Sequence, residues 1–129
     1  AMIETQEAFD NLEDIASTPG LDGLYIGTAD LTIGLNQGKL RPGFDRTEPE
    51  MIEAKKKILE IAHKHEKVAC LHCGTPEYAA KATNWGFDLV TITNDVRLLS
   101  GAAAAHVKKF KELTNQKTDI SSETDDNSY

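Results

Sequence analysis

Only two of the 129 residues are cysteines, Cys70 and Cys73. They are too few and too close together to form a disulfide framework, so a reducing, cytoplasmic location is expected. No apolar run approaches the ~20 residues that span a bilayer, and no basic-apolar-small leader suggests a secretory signal. No membrane partner is expected. Basic residues show neither excess nor clustering, and the formal net charge is −7. Neutralising phosphates needs grouped Lys and Arg, so nucleic acid is not an expected partner either. Sustained period-2 alternation is also missing, which argues against an antiparallel sheet with one wet face.

The residues that are present describe an ordinary folding domain. Hydrophobic residues make up 40% and charged residues 27% of the chain, enough in 129 residues for one core and not for two. Residues 114–129 read TNQKTDISSETDDNSY, where Lys117 against Asp119, Glu123, Asp125 and Asp126 leaves −3. This stretch is nearly without large apolar residues and is expected to be a disordered polar tail. Residues 1–113 are then the folded part.

Along that part, short apolar runs alternate with helical periodicity. Residues 1–4 read as a buried strand, after which Thr5 caps a helix bearing Ala8, Phe9, Leu12, Ile15 and Ala16 on one face. Pro19-Gly20 stops it. Leu24-Tyr25-Ile26 is a second strand, followed by a Gly-rich connection from about Leu31 to Arg46. Thr47-Glu48-Pro49-Glu50 has the form of a capping box. Its helix carries Met51, Ala54, Ile58, Ile61 and Ala62 toward the core. Val68–Leu71 is a third strand, Thr75-Pro76 opens a helix that Gly86 closes, and Leu89–Ile92 is a fourth strand. Asn94 or Asp95 caps a last helix with Val96, Leu99, Ala103, Val107 and Phe110 on one side.

The fold class is therefore α/β: four βα units forming a parallel sheet covered by helices. Four such units are either half of a (β/α)8 barrel or a small open sheet. The chain opens inside a strand, as a fragment would, and an N-terminal half is expected to precede it.

Chemistry in parallel α/β folds collects at the carboxyl ends of the strands. Glu4 ends the first strand and Asp30 lies just past the second. Parallel neighbours are roughly 4.8 Å apart, so carboxylates at their tips can share one ion. Two carboxylates completed by water and substrate suit Mg²⁺ or Mn²⁺. The same two acids can equally cap a helix and a turn. Gly27 favours the site, since glycine allows backbone to approach a ligand, and the amides of Ala29 and Asp30 can receive a carboxylate.

MIET, then PGLDGLYIGTADLT, then GFDLVTITNDVRLLSGAAA resemble the class II pyruvate aldolases, typified by 4-hydroxy-2-oxoheptanedioate aldolase. The resemblance covers roughly residues 2–113 and keeps three motifs in order. It implies the C-terminal half of a (β/α)8 TIM barrel in a metal-dependent carbon–carbon lyase. Glu4 and Asp30 would be the metal ligands for Mg²⁺, with Mn²⁺ or Co²⁺ as alternatives. Gly27, Thr28, Ala29 and Asp30 would surround the 2-oxo acid. The family's catalytic arginine and histidine come from the first half of the barrel, and no residue here matches them. The resemblance also implies homo-oligomers in which the last helix packs on a neighbouring barrel, which suits the small residues Ala102–Ala105.

Thr28 stands where the family has proline, which is expected to loosen the loop. Asn94 and Arg97 replace smaller residues in the final motif. Aldol cleavage and oxaloacetate decarboxylation share one enolate, so the metal site does not separate them. Nor does it separate them from C–C bond formation of the kind catalysed by macrophomate synthase, which is similar to this family. A half-barrel without its catalytic residues would instead be a non-catalytic scaffold.

His63, His65, Cys70, His72 and Cys73 invite a zinc reading, but all lie within residues 63–73 and lack paired ligand arms. Cysteine in the core and histidine at a solvated helix end account for them better. His72 or Cys73 could line the mouth of the site. Trp85, just before Gly86, reads as a packing anchor.

Overall fold

The computed structural model describes residues 1–114 and divides into two units, Ala1–Ile92 and a second beginning at Thr93. The first unit runs β1 (Met2–Ile3), α1 (Gln6–Asp10), α2 (Leu12–Ala16), β2 (Gly23–Ile26), α3 (Thr28–Asn36), α4 (Pro49–Lys64), β3 (Val68–Leu71), α5 (Pro76–Trp85) and β4 (Leu89–Val90). The second unit contains α6 (Asp95–Leu113), and Thr114 is its C-cap. The rest of the expected polar tail lies outside the described residues.

All strand pairs are parallel and the order is β1-β2-β3-β4. Ile3 is level with Ile26, Ile26 with Leu71, and Leu71 with Val90. Ile3, Leu24, Ile26, Ala69 and Leu71 are buried, and α4 and α5 contribute Met51, Ile58, Ala62, Tyr78 and Ala82 to the same core. The residues between them in the strands point to the opposite face. That face is open, with Met2, Val68 and Leu89 all exposed.

Several expected boundaries hold. Thr5 caps α1 through Ala8 N, and Thr75 caps α5 through Tyr78 N. Gly86 ends α5 at φ 109°, a conformation glycine adopts without penalty. Asn94, not Asp95, caps α6 by accepting from Arg97 N.

Four expectations need correcting. The first helix is broken at Asn11, whose side chain donates to Glu7 O at 2.8 Å beside its own backbone amide. A short amide side chain competing for a helical carbonyl is a common way to interrupt a helix. The connection after Leu31 is not irregular at first, since α3 runs from Thr28 to Asn36 and stops only at left-handed Gln37 and Gly38. Thr47 does not cap α4. Glu48 holds that position and makes no side-chain cap bond, because both its oxygens engage the Arg46 guanidinium. The fourth strand ends at Val90: Thr91 N still bonds Leu71 O at 3.1 Å, but Cys73 N bonds the Thr91 hydroxyl at 3.0 Å.

Candidate functional site

Continuing the strand register by one residue sets Glu4, Gly27, His72 and Thr91 in a row across the carboxyl ends of the sheet. Met2 and Tyr25, two residues earlier, share their face. One open cavity of about 250 Å³ is lined by Met2, Glu4, Tyr25, Gly27, Thr28, Ala29, Asp30, Phe44 and His72. All five residues singled out from the sequence, Glu4, Gly27, Thr28, Ala29 and Asp30, therefore meet at one place.

Two glycines make that meeting possible. A Cβ on Gly27 would stand 2.6 Å from Glu4 Oε2. On Gly34, in the last turn of α3, a Cβ would stand 3.0 Å from both Glu4 O and Thr5 Cα. The backbone of α3 thus lies directly on the corner that follows β1. This contact sets the first turn of α3, and Asp30 in it, beside Glu4.

Gly27 is the N-cap of α3, and Leu31 N bonds back to Gly27 O at 2.8 Å. The amides of Thr28, Ala29 and Asp30 precede that first bond and have no acceptor in their own helix. They border the cavity at the positive end of a nine-residue helix, a suitable place for an anion. Thr28 does not loosen the loop as expected from its replacement of proline. Its side chain is buried, and its hydroxyl donates to His72 O at 3.0 Å. Its carbonyl accepts from Thr32 Oγ1 at 2.8 Å.

Among the described residues, no group of three His, Cys, Asp or Glu side chains converges as a ready-made metal site. Two carboxylates border the cavity, and no ion pair among the described residues engages either. A hard divalent cation is the group this donor set fits, with its remaining positions left to water and ligand. The histidines and cysteines lead elsewhere. His63 bonds Asp88 at 2.9 Å, His65 bonds Glu13 at 2.6 Å, and Cys73 is wholly buried in the core. Burial raises the Cys73 thiol pKa to about 11, and the thiol stays protonated.

Of the two residues expected at the mouth, His72 lines the cavity and Cys73 does not. Tyr25 OH lies 2.8 Å from His72 Nδ1, and Thr91 Oγ1 lies 3.2 Å from the same nitrogen. Phe44 stands against the ring, with centroids 4.7 Å apart. Burial lowers the His72 pKa, favouring the neutral imidazole.

Tyr25 and Phe44 were not singled out from the sequence. Tyr25 sits two residues before Gly27, and strand alternation alone puts it on the site's face. Phe44 carries no such signal, because distant contacts hold its loop. Asp45 accepts from Gly74 N and Thr75 Oγ1, each at 2.7 Å. Arg46 O accepts from Tyr78 OH at 2.6 Å and from Lys55 Nζ at 3.3 Å. Trp85 packs edge-on against Tyr78, with centroids 5.8 Å apart, as its reading as an anchor requires.

A family model described as HpcH/HpaI aldolase/citrate lyase matches residues 1–102. A hydroxypyruvate/pyruvate aldolase of Rhizorhabdus wittichii is 39% identical over 113 residues, covering 88% of this chain and 44% of its own length. Among solved structures, an HpcH/HpaI aldolase/citrate lyase family protein of Burkholderia cenocepacia superposes with a TM-score of 0.73 at 26% identity. That match covers 85% of this chain and 41% of the other. A citrate synthase superposes with a TM-score of 0.76 at 26% identity, covering 89% of this chain and 45% of its own. The chain spans less than half the length of each of these relatives.

Proposed function

The chain belongs to the HpcH/HpaI aldolase/citrate lyase family, and on that premise we propose that it forms the metal- and 2-oxo-acid-binding part of a carbon–carbon lyase. One observation carries the reading: two carboxylates and the free amides of a helix N-terminus border a single cavity at the strand ends. Glu4 and Asp30 would hold the ion, Mg²⁺ or alternatively Mn²⁺ or Co²⁺. Gly27 keeps the space beside Glu4 free of a side chain, and the amides of Thr28, Ala29 and Asp30 receive the substrate carboxylate. A divalent ion in this place supplies Lewis acidity for the negative charge that develops on the 2-oxo acid as an enolate.

No residue of this chain is assigned the proton transfers. Aldol cleavage, decarboxylation of a β-carboxylate and C–C bond formation all pass through the same enolate. Aldol chemistry is the reading that the name of the R. wittichii relative favours. Association of copies through α6 is part of the proposal, supported by Val96, Leu99, Val107 and Phe110, which recur on the helix and are exposed. A cytoplasmic location fits the two free cysteines. Among the described residues, no helix is long and apolar enough to cross a membrane.

The test is Mn²⁺ binding by the chain and by its Glu4→Gln and Asp30→Ala variants, followed by titration calorimetry. Each variant should bind Mn²⁺ at least tenfold more weakly. Deuterium exchange into the methyl group of pyruvate, where it occurs, should require the ion. Undiminished Mn²⁺ affinity in both variants sinks the assignment.

A further inference from the structure

One ring nitrogen of His72, Nδ1, is engaged by the fold. Tyr25 and Thr91 both bring a hydroxyl to Nδ1, at 2.8 and 3.2 Å. Burial raises the pKa of the Tyr25 phenol against a hydrogen bond from Thr91, so the phenol keeps a proton that it can give to Nδ1. With Nδ1 accepting from the phenol, the neutral ring carries its proton on Nε2, which is the tautomer the proposal below requires. Among the described residues Nε2 has no partner, and no buried side-chain polar atom is left without one. Nε2 therefore opens to the cavity that His72 lines.

The ring is also fixed in place. Phe44 packs on one side, and the loop bearing Phe44 is tied down through Asp45 and through the carbonyl of Arg46. Along the row of strand ends, His72 stands two strands from Glu4, or roughly 10 Å between backbones. A three-carbon acid seated on the α3 amides beside Glu4 leaves His72 facing the space next to it. That space belongs to whatever reacts with the enolate.

We propose that His72 is a specificity-determining residue whose Nε2–H donates a hydrogen bond to an oxygen of the second, carbonyl-bearing reactant. It selects short hydroxylated aldehydes over alkyl aldehydes of similar size. A neutral N–H gives an added hydroxyl a fixed partner, while an alkyl chain leaves that donor unpaired in the complex. This inference rests on the reading of the cavity as a 2-oxo acid lyase site.

The test uses ring ¹⁵N NMR of His72 in the full chain, with and without Mg²⁺ and oxalate. Glycolaldehyde and propanal serve as the hydroxylated and alkyl probes. The spectrum of the free chain should show the Nε2–H tautomer. Glycolaldehyde should shift Nε2 at concentrations about tenfold below those at which propanal acts. His72→Phe should remove that preference, and His72→Gln, which restores an N–H near the Nε2 position, should recover most of it. An Nδ1–H tautomer, or equal response to the two aldehydes, overturns the proposal. Absence of Mg²⁺ or Mn²⁺ binding overturns the metal reading instead, since the tautomer and the aldehyde preference are read without the ion as well.

Discussion

Gly27 and Glu4 share a space that admits only one side chain: a Cβ on Gly27 would lie 2.6 Å from Glu4 Oε2. The group in the way is the tip of a flexible side chain, not backbone. Gly27→Ala should therefore leave the fold nearly intact and push the Glu4 carboxylate off its position. Losses of ten- to a hundredfold in metal affinity are usual when a ligand's support is disturbed. Mn²⁺ titration should show a loss in that range, with the thermal midpoint moving by no more than a few degrees. Unchanged affinity would separate Glu4 from the metal.

Gly34 makes the opposite case, because its close neighbours are backbone atoms. A Cβ there would meet Glu4 O and Thr5 Cα, each at 3.0 Å, and Gln6 N at 3.2 Å. The corner after β1 can yield only by shifting α3 as a whole. Gly34→Ala should cost about 1–3 kcal/mol of stability, the usual range for overpacking. Denaturant unfolding measures this directly. A variant as stable as the parent would mean that α3 does not press on the Glu4 corner.

Thr28 offers a third comparison, since proline is the residue expected there from the family resemblance. The Thr28 amide has no acceptor in α3, and proline is well tolerated at the first helical position. Thr28→Pro loses the hydroxyl bond to His72 O, about 1 kcal/mol, and gains from a stiffer unfolded chain by a similar amount. Net stability should change by less than about 1 kcal/mol in denaturant titration. A larger loss would show that the hydroxyl bond to the His72 carbonyl matters more to the fold than its exposed counterparts elsewhere.

The strands and the α4 stripe were legible because burial forces a pattern on them. Met51, Ala54, Ile58, Ile61 and Ala62 recur with helical spacing and are all buried. Glu4 and Asp30 were legible because strand ends are where parallel folds gather polar groups. α3 was not, because Gly34 in its last turn looks like a loop residue and serves instead to admit the backbone of residues 4–6. The cap at Thr47 misled for a different reason. Arg46 captures Glu48, an interaction of charge and geometry that a capping motif does not encode. Phe44 meets His72 and Lys55 meets Tyr78, 23 residues further along the chain, and spacing in sequence carries no trace of either contact.

Lys55 supplies the last prediction. Its side chain is fully buried, with Nζ 2.8 Å from Tyr78 OH and 4.7 Å from the centre of that ring. Burial lowers its pKa from 10.5 to about 8, against the opposing pull of Cys73, Asp45 and Glu48, while Arg46 adds to the lowering. Between about pH 8 and 10.5 the folded chain has released this proton and the unfolded chain has kept it. Stability from Lys55 therefore rises with pH across that window. Cys73 acts in the other direction from pH 9 to about 11, because burial raises its pKa, and Tyr78 follows above its ordinary value of 10. Both remain in a Lys55→Met variant, so the difference between parent and variant isolates the lysine. That difference should shift in favour of the parent by up to about 1.4 kcal/mol per pH unit from pH 8 to 10. Denaturant titrations of both proteins at half-unit steps read it out. A flat difference would mean that the buried Nζ keeps its proton throughout, held by Tyr78 and the Arg46 carbonyl against the cost of desolvation.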